Sequence, residues 1–179
     1  MNGFARQARN RERDFSTETN TCIHEPMDFA RQIAALPVRR DADGALLVLL
    51  VTSRETRRWV IPKGWPWPDR EDCVAAAEEA REEAGVLGQA HAQSIGVYTY
   101  CKRRPAGPIE IRVTVYPLEV TEELTSWPEG DQRQRSWFTP VDAAAAVEEP
   151  ELQSLLRQLG SGADDLHWGV PSGATLAAR

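Results

Sequence analysis

The sequence predicts a single α/β domain, a mixed β-sheet flanked by helices. Three observations predict it. Short runs of aliphatic and β-branched residues alternate with helical patterns in the order β-β-β-α-β-β-β-α-α. One run, Ala45–Ser53 (ALLVLLVTS), is apolar at nearly every position, as expected of a strand buried on both faces. The chain has 179 residues, enough for one core with flexible ends and too few for two full cores. On this reading residues 1–27 form a flexible arm, 28–160 the domain and 161–179 a tail.

In order, Gln32–Arg39 and Ala45–Ser53 form a hairpin closed by the turn residues Asp41-Ala-Asp-Gly44. Trp59-Val60-Ile61 is a third short strand, ended by Pro62. The loop Trp65-Pro66-Trp67-Pro68 cannot be helix, because each proline biases the residue before it towards extended backbone. Asp69 is the expected N-cap of the next helix, with Asp72 returning the bond, and Gly85 is its stop. Ser94–Tyr100 and Ile109–Val120 are strands; in the second, Ile109, Ile111, Val113 and Val115 share one face. Gln134–Thr139 is a last short strand. Thr139 and Pro140 cap and start a helix running to Val147. A final helix, Glu149–Leu159, carries leucines at 152, 155, 156 and 159, and Gly160 ends it.

Composition excludes several classes. No run of about 18 apolar residues exists to span a membrane. The N-terminus is charged with no apolar stretch behind it, unlike a secretory signal. A net charge of −6 argues against bulk binding to nucleic acid. Three cysteines without metal-site spacing suggest reduced thiols in the cytoplasm. His24, His91 and His167 are scattered and show no ligand spacing. The basic residues do cluster, at Arg54–Arg58 with Lys63, at Lys102–Arg104, and at Arg133 and Arg135. All lie in loops or at strand ends, where they could converge on one polyanion.

The helix after the Trp-Pro loop ends A-E-E-A-R-E-E-A-G. At roughly 100° per residue, Glu79, Glu82 and Glu83 share an arc of about 100°, while Cys73, Ala77, Ala80 and Ala84 form a thin apolar strip beside it. Small side chains on that strip would let the helix lie close to a sheet. Carboxylates so close raise each other's pKa unless a cation joins them, and all-oxygen ligands suit Mg²⁺, or Mn²⁺ in its place.

Gly64 through Val86 resembles the Nudix box, G-x5-E-x7-R-E-U-x-E-E-x-G-U with U aliphatic. The match runs through Gly64, Glu79, Ala80, Glu82, Glu83, Gly85 and Val86 with every gap correct. Two charged positions depart: Arg70 stands in place of Glu and Glu78 in place of Arg. A swapped structural pair, Arg70 with Glu78, would keep their role. The resemblance implies a Nudix-type α/β/α sandwich in which Glu79, Glu82, Glu83 and the Lys63 carbonyl hold metal. It also implies that Glu82 is the catalytic base for water attacking an X-O-P-O-P group.

The flanks resemble the diphosphoinositol and diadenosine polyphosphate hydrolases of that family. Ser53-Arg54 precedes Trp59-Val60-Ile61-Pro62, Arg103 follows a Gly96-Val-Tyr strand, and Arg133 precedes Arg135-Ser-Trp-Phe. The implied substrate-binding residues are Ser53, Arg54, Lys102, Arg103 and Arg133. The Lys that group uses near the end of its core is Glu149 here, which weakens inositol specificity. ADP-ribose fits less well, because the expected Pro past the box is missing. The expected partner is a small-molecule polyphosphate, with the chain a monomer or homodimer. A non-catalytic sensor of nucleotides or inositol phosphates is the alternative of a different class.

Overall fold

The fold is organised by β1, Phe29–Arg40, in a computed structural model that describes residues 29–161. β1 runs parallel to β7, Ile109–Glu123, from Phe29 opposite Glu110 to Val38 opposite Glu119. On its other side β1 pairs in two places. Its C-terminal end meets β2, Leu46–Thr52, through the Asp41–Gly44 turn. Its middle meets the two-residue β4, Lys63–Gly64, which sets Gly64 opposite Ile33 and Lys63 opposite Ala34. β2 also pairs with β3, Trp59–Val60, and β8, Arg135–Phe138. β7 also pairs with β5, Val86–Ala90, and β6, Gly96–Lys102. The result is one mixed sheet of eight strands.

The period-two alternation of each strand divides the core into two layers. Ala34, Leu36 and Val38 of β1, Val48 and Leu50 of β2, and all four predicted β7 residues from Ile109 to Val115 pack against Leu152, Leu156 and Leu159. Those leucines belong to α3, Pro150–Ser161, and Ala143 and Ala144 of α2, Pro140–Ala146, join them. Ile33, Ala35, Leu49 and Val51 point the other way, onto Ala75, Ala76, Ala80 and Ala84. This second layer lies under α1, Asp72–Glu79, and its π-helical continuation Ala80–Ala84. The α/β/α arrangement is therefore present, and β2 is buried on both faces as its sequence requires.

Local signals worked where the contacts were local. The Asp41 side chain accepts from the backbone N–H of Asp43 and Ala45 at 3.0 and 2.9 Å, and Gly44 takes the left-handed φ of 83° that closes the turn. Thr139 caps α2, its hydroxyl accepting from Asp142 N at 3.2 Å, with Pro140 next. Gly85 ends the acidic helix at φ 63°.

Five expectations need correction. Gly160 does not end the last helix, which runs through it to Ser161. Asp69 is not the N-cap: α1 starts at Asp72 after an extended Glu71, because Asp72 is taken by Arg31 and by the Tyr116 hydroxyl at 3.1 Å. β4 and β5 lay outside the expected strands, since a two-residue strand after Pro62 and a short run after Gly85 carry no period to read. The apolar strip of α1 is wider than predicted, since Ala75 and Ala76 are also buried. Cys101 is disulfide-bonded and Cys73 is free, so the three thiols are not all reduced and the support they gave to a cytoplasmic location falls away. No helix among the described residues is long and apolar enough to cross a membrane. The arm and the tail, with Cys22, His24 and His167, lie outside the described residues.

Candidate active site

The alanine layer brings the backbone of α1 close to β4, and Gly64 makes the closest approach. A Cβ at Gly64 would lie 1.9 Å from Glu79 Oε1 and 2.2 Å from its Cδ, so only glycine leaves room for that carboxylate. One turn on, Glu83 is 8% exposed and both its oxygens are engaged. The backbone N–H of Lys63 donates to Oε2 at 3.2 Å, and Arg133 Nη2 donates to Oε1. The two residues of β4 thus meet the two acids.

The π-helical turn explains which acids come together. Its wider turn takes more residues per revolution, so Glu83 returns more nearly above Glu79 and Glu82 is carried outward. Glu82 is accordingly half exposed, with Arg81 Nη2 at 3.3 Å. The 100° wheel assumed for the sequence missed this rotation. A π turn inside an α-helix is frequent at functional sites because it re-aims side chains in this way.

The electrostatics is that of crowded acid. Burial pushes the Glu79 carboxyl up to about 7, helped by the charges of Glu83, Glu82 and Glu129 and opposed by Arg133. Burial also raises Glu83, against the pull of Lys63 and Arg133. Burial lowers the Lys63 ammonium. Among the described residues no three His, Cys, Asp or Glu side chains converge closely enough to form a ready cage for a metal ion. The donor set still suits a hard cation. The acids are packed at one joint of loop and helix, Glu79 rests in a cradle that a Cβ would fill, and a cation there would relieve the repulsion that raises Glu79.

The predicted phosphate-binding residues divide into two groups. Arg133 and Arg54 stand at the acids. Arg133 is buried, donating through Nε to Glu129, through Nη1 to the Thr52 carbonyl at 3.0 Å and through Nη2 to Glu83. Arg54 reaches Glu129 at 3.3 Å with its side chain 58% exposed. Ser53 shares a 2.7 Å hydrogen bond with Thr56 in the same loop. Lys102 and Arg103 stand exposed on the β6–β7 hairpin. The pairing of Arg70 with Glu78 is not a direct one. Glu78 accepts from Arg81, at 2.8 Å from Nε, and this bond is the main reason its carboxyl is lowered, with Arg70 a weaker charge in the background. Arg70 instead lies over the Trp67 ring at 4.7 Å.

Glu129 was not foreseen in the site, and Arg135, expected in a basic cluster that could meet a polyanion, has a different role. Glu129, in the β7–β8 loop, joins Arg133 and Arg54 and adds its charge to Glu79, while its backbone N–H donates to the Glu82 carbonyl at 3.1 Å. The signal was an acid in the Trp127-Pro-Glu-Gly loop just before Arg133. Arg135 is a helix cap. It donates to the carbonyls of Ala84, Gly85 and Leu124 at 2.7, 2.8 and 2.9 Å and lies 4.3 Å over the Trp127 ring.

Comparison with known proteins identifies this arrangement. The NUDIX domain family model matches residues 30–159. Nudix hydrolase 13, mitochondrial, of Arabidopsis thaliana is 34% identical over 127 residues, covering 66% of this chain and 61% of the relative. The human diphosphoinositol polyphosphate phosphohydrolase 3-beta is 33% identical over 130 residues, covering 72% of this chain and 75% of the relative. The chain thus spans about three fifths of the plant relative and three quarters of the human one. The fold is shared with a crystal structure of a C. elegans Ap4A hydrolase binary complex, at TM-score 0.57 and 22% identity over 75% of this chain and 98% of that one. The chain belongs to the Nudix hydrolase family.

Proposed function

We propose that the chain is a divalent-cation-dependent pyrophosphohydrolase, cleaving a phosphoanhydride bond in a nucleoside- or inositol-linked polyphosphate. The observation that carries this reading is the joint at β4, where Glu79 rests on Gly64 and Glu83 is held by the Lys63 N–H. The names of the human and nematode relatives, which point to diphosphoinositol polyphosphates and Ap4A, support the substrate class.

Glu79 and Glu83, with Glu82 and the Lys63 carbonyl, would hold Mg²⁺, or Mn²⁺ in its place. When bound, the cation lowers the pKa of the attacking water and neutralises charge on the phosphate oxygens. The protein's own groups do the rest. Glu82, with its side chain about half exposed, takes the proton from water. Arg54, exposed beside the acids, grips substrate phosphate in two-pronged fashion, with Ser53 next to it. Lys102 and Arg103 receive the far end of a long polyanion. Arg133 fixes the direction of Glu83.

A second reading rests on that same Arg133–Glu83 pair: with Glu83 already neutralised, the domain would bind a nucleotide or inositol phosphate without hydrolysing it. Turnover assays separate the two. Diadenosine polyphosphates, diphosphoinositol phosphates, ADP-ribose and nucleoside triphosphates are each incubated with Mg²⁺ or with EDTA. Hydrolysis of a polyphosphate with Mg²⁺ only is the expected result. Tight binding without turnover under every condition would leave the sensor.

A further inference from the structure

The loop between β2 and β3, residues 53–58, holds one backbone conformation that its residue disfavours. Arg57 sits at φ 59°, and it alone of the described non-glycine residues has a positive φ. A side chain in that left-handed region is strained, and glycine or asparagine would take it more easily. The loop's own bonds do not call for an arginine there. The Arg57 N–H donates to the Ser53 carbonyl at 3.2 Å and the Ser53 N–H to the Arg58 carbonyl at 2.8 Å. The Ser53 and Thr56 hydroxyls meet at 2.7 Å. Any residue at 57 would leave these bonds available.

What the arginine adds is reach. Its Nη1 donates to the carbonyl of Gln132, 75 residues along the chain, at 2.5 Å. Gln132 directly precedes Arg133, whose guanidinium holds Glu83 and the Thr52 carbonyl. Past the last β2–β8 pair, the Thr52 N–H donates to the Gln134 carbonyl at 2.9 Å and the Gln134 N–H to the Thr52 hydroxyl at 3.0 Å. Arg57 ties the same two loops again, two residues earlier in the β7–β8 loop. The three arginines of the β2–β3 loop thus have three different anchors. Arg54 reaches Glu129, Arg57 the Gln132 carbonyl, and Arg58 both Glu148 and Glu149. Only the first lies beside the acids.

We propose that Arg57 is a positioning residue for the polyphosphate grip. It does not meet the phosphate; it sets the β2–β3 loop so that Ser53 and Arg54 stand at a fixed distance from Glu83. Gln132 and Arg133 are neighbours, so one stretch of backbone locates both the grip and the acid. Groups arranged beforehand bind an anion without first losing loop freedom, and that gain accounts for a strained arginine where glycine would fit. The inference rests on the reading of Arg54 as a phosphate grip, and deepens it by naming what holds the grip in place.

Calorimetric titration with inorganic tripolyphosphate in EDTA tests this without turnover. The proteins are wild type, Arg57→Gly, Arg57→Ala, Arg57→Lys, Arg54→Ala and the double variant Arg54→Ala with Arg57→Gly. Arg57→Gly loses the reach but relieves the backbone, so it should melt close to wild type. Arg57→Ala loses the reach and keeps the strain, so it should melt lower. Both should bind tripolyphosphate about tenfold more weakly than wild type, whatever their difference in stability. Arg57→Lys, whose ammonium can still donate to the Gln132 carbonyl, should recover most of the affinity. In the Arg54→Ala background Arg57→Gly should cost little more, because the residue it positions is gone. An equal loss in both backgrounds would mean that Arg57 acts on the phosphate by its own charge, and overturns the proposal. So does a loss that follows melting temperature across the glycine and alanine variants, or a wild type that does not bind tripolyphosphate. Full binding in Arg54→Ala sinks the grip, and the proposal with it. Weak binding in Arg54→Ala beside full binding in Arg57→Gly keeps the grip and overturns the proposal alone.

Discussion

The two faces of the sheet are packed by opposite means. Under α2 and α3 the filling is large, with Leu36, Leu50 and Ile111 of the sheet against Leu152 and Leu156. Under α1 it is small: Ala75, Ala76, Ala80 and Ala84 meet Ile33, Ala35, Leu49 and Val51. A buried leucine side chain is worth roughly 1.5–3 kcal/mol and an alanine far less, so the leucine face carries more of the stability. The alanine face does something leucines would prevent. It lets the helix backbone approach until Glu79 touches Gly64 and Glu83 reaches the Lys63 N–H. One face holds the domain together and the other sets the positions of the acids.

That division can be broken from either side. The largest effect on stability is expected from Leu156→Ala, a cost of about 2–5 kcal/mol in chemical denaturation. Turnover per folded molecule should stay at the wild-type level, and a matching fall in turnover would blur the division. Glu79→Gln should do the opposite, cutting kcat/KM by about 100-fold, or roughly 2.7 kcal/mol of barrier, with the melting temperature held or raised. Unchanged turnover in that variant would remove Glu79 from the chemistry. Arg135→Ala releases the Ala84 and Gly85 carbonyls at the end of the acidic helix and the Leu124 carbonyl just after β7, and should cost about 1–3 kcal/mol. Faster hydrogen exchange should follow at Ala84 and Gly85 before it appears in α3; uniform exchange would refute its role as a local cap.

The smallest effect is on pH dependence. The Glu79 carboxyl is held at about 7 in the fold against 4.5 for the free group, so the folded chain keeps a proton that the unfolded chain has lost between those values. Without divalent cation, stability should therefore be fuller below the lower value and fall as pH rises through the upper one, by about 1–2 kcal/mol after solvent screening. Denaturation of wild type and Glu79→Gln at about pH 5 and pH 8 isolates this contribution. The wild type should lose ground to the variant as pH rises, and parallel curves would show that Glu79 titrates normally.

The leucine face was legible in the sequence, because Leu152, Leu155, Leu156 and Leu159 and the alternation of Ile109 to Val115 are patterns of one residue with its near neighbours. The acidic face was legible only in part. The spacing from Gly64 to Val86 pointed to the right residues, and Gly64 proves to need its missing side chain for Glu79. What the sequence hid was decided by distant partners. Arg133 meets Glu83 from 50 residues away, and Asp72 is drawn out of a cap by Arg31 and Tyr116. The π turn that separates Glu82 from Glu83 leaves no mark on a wheel drawn for an ordinary helix. Glu78 turned to Arg81, one turn along its own helix, where the motif had suggested Arg70.

The claim that close packing of the alanine face builds the cation site is tested most directly by Mn²⁺ titration of wild type and Gly64→Ala, read by electron paramagnetic resonance. A Cβ at position 64 displaces the Glu79 carboxylate without touching any charge. The account predicts Mn²⁺ binding weakened by about 10-fold or more in a variant whose α3 packing and fold are intact. Equal Mn²⁺ affinity in the two proteins would contradict it.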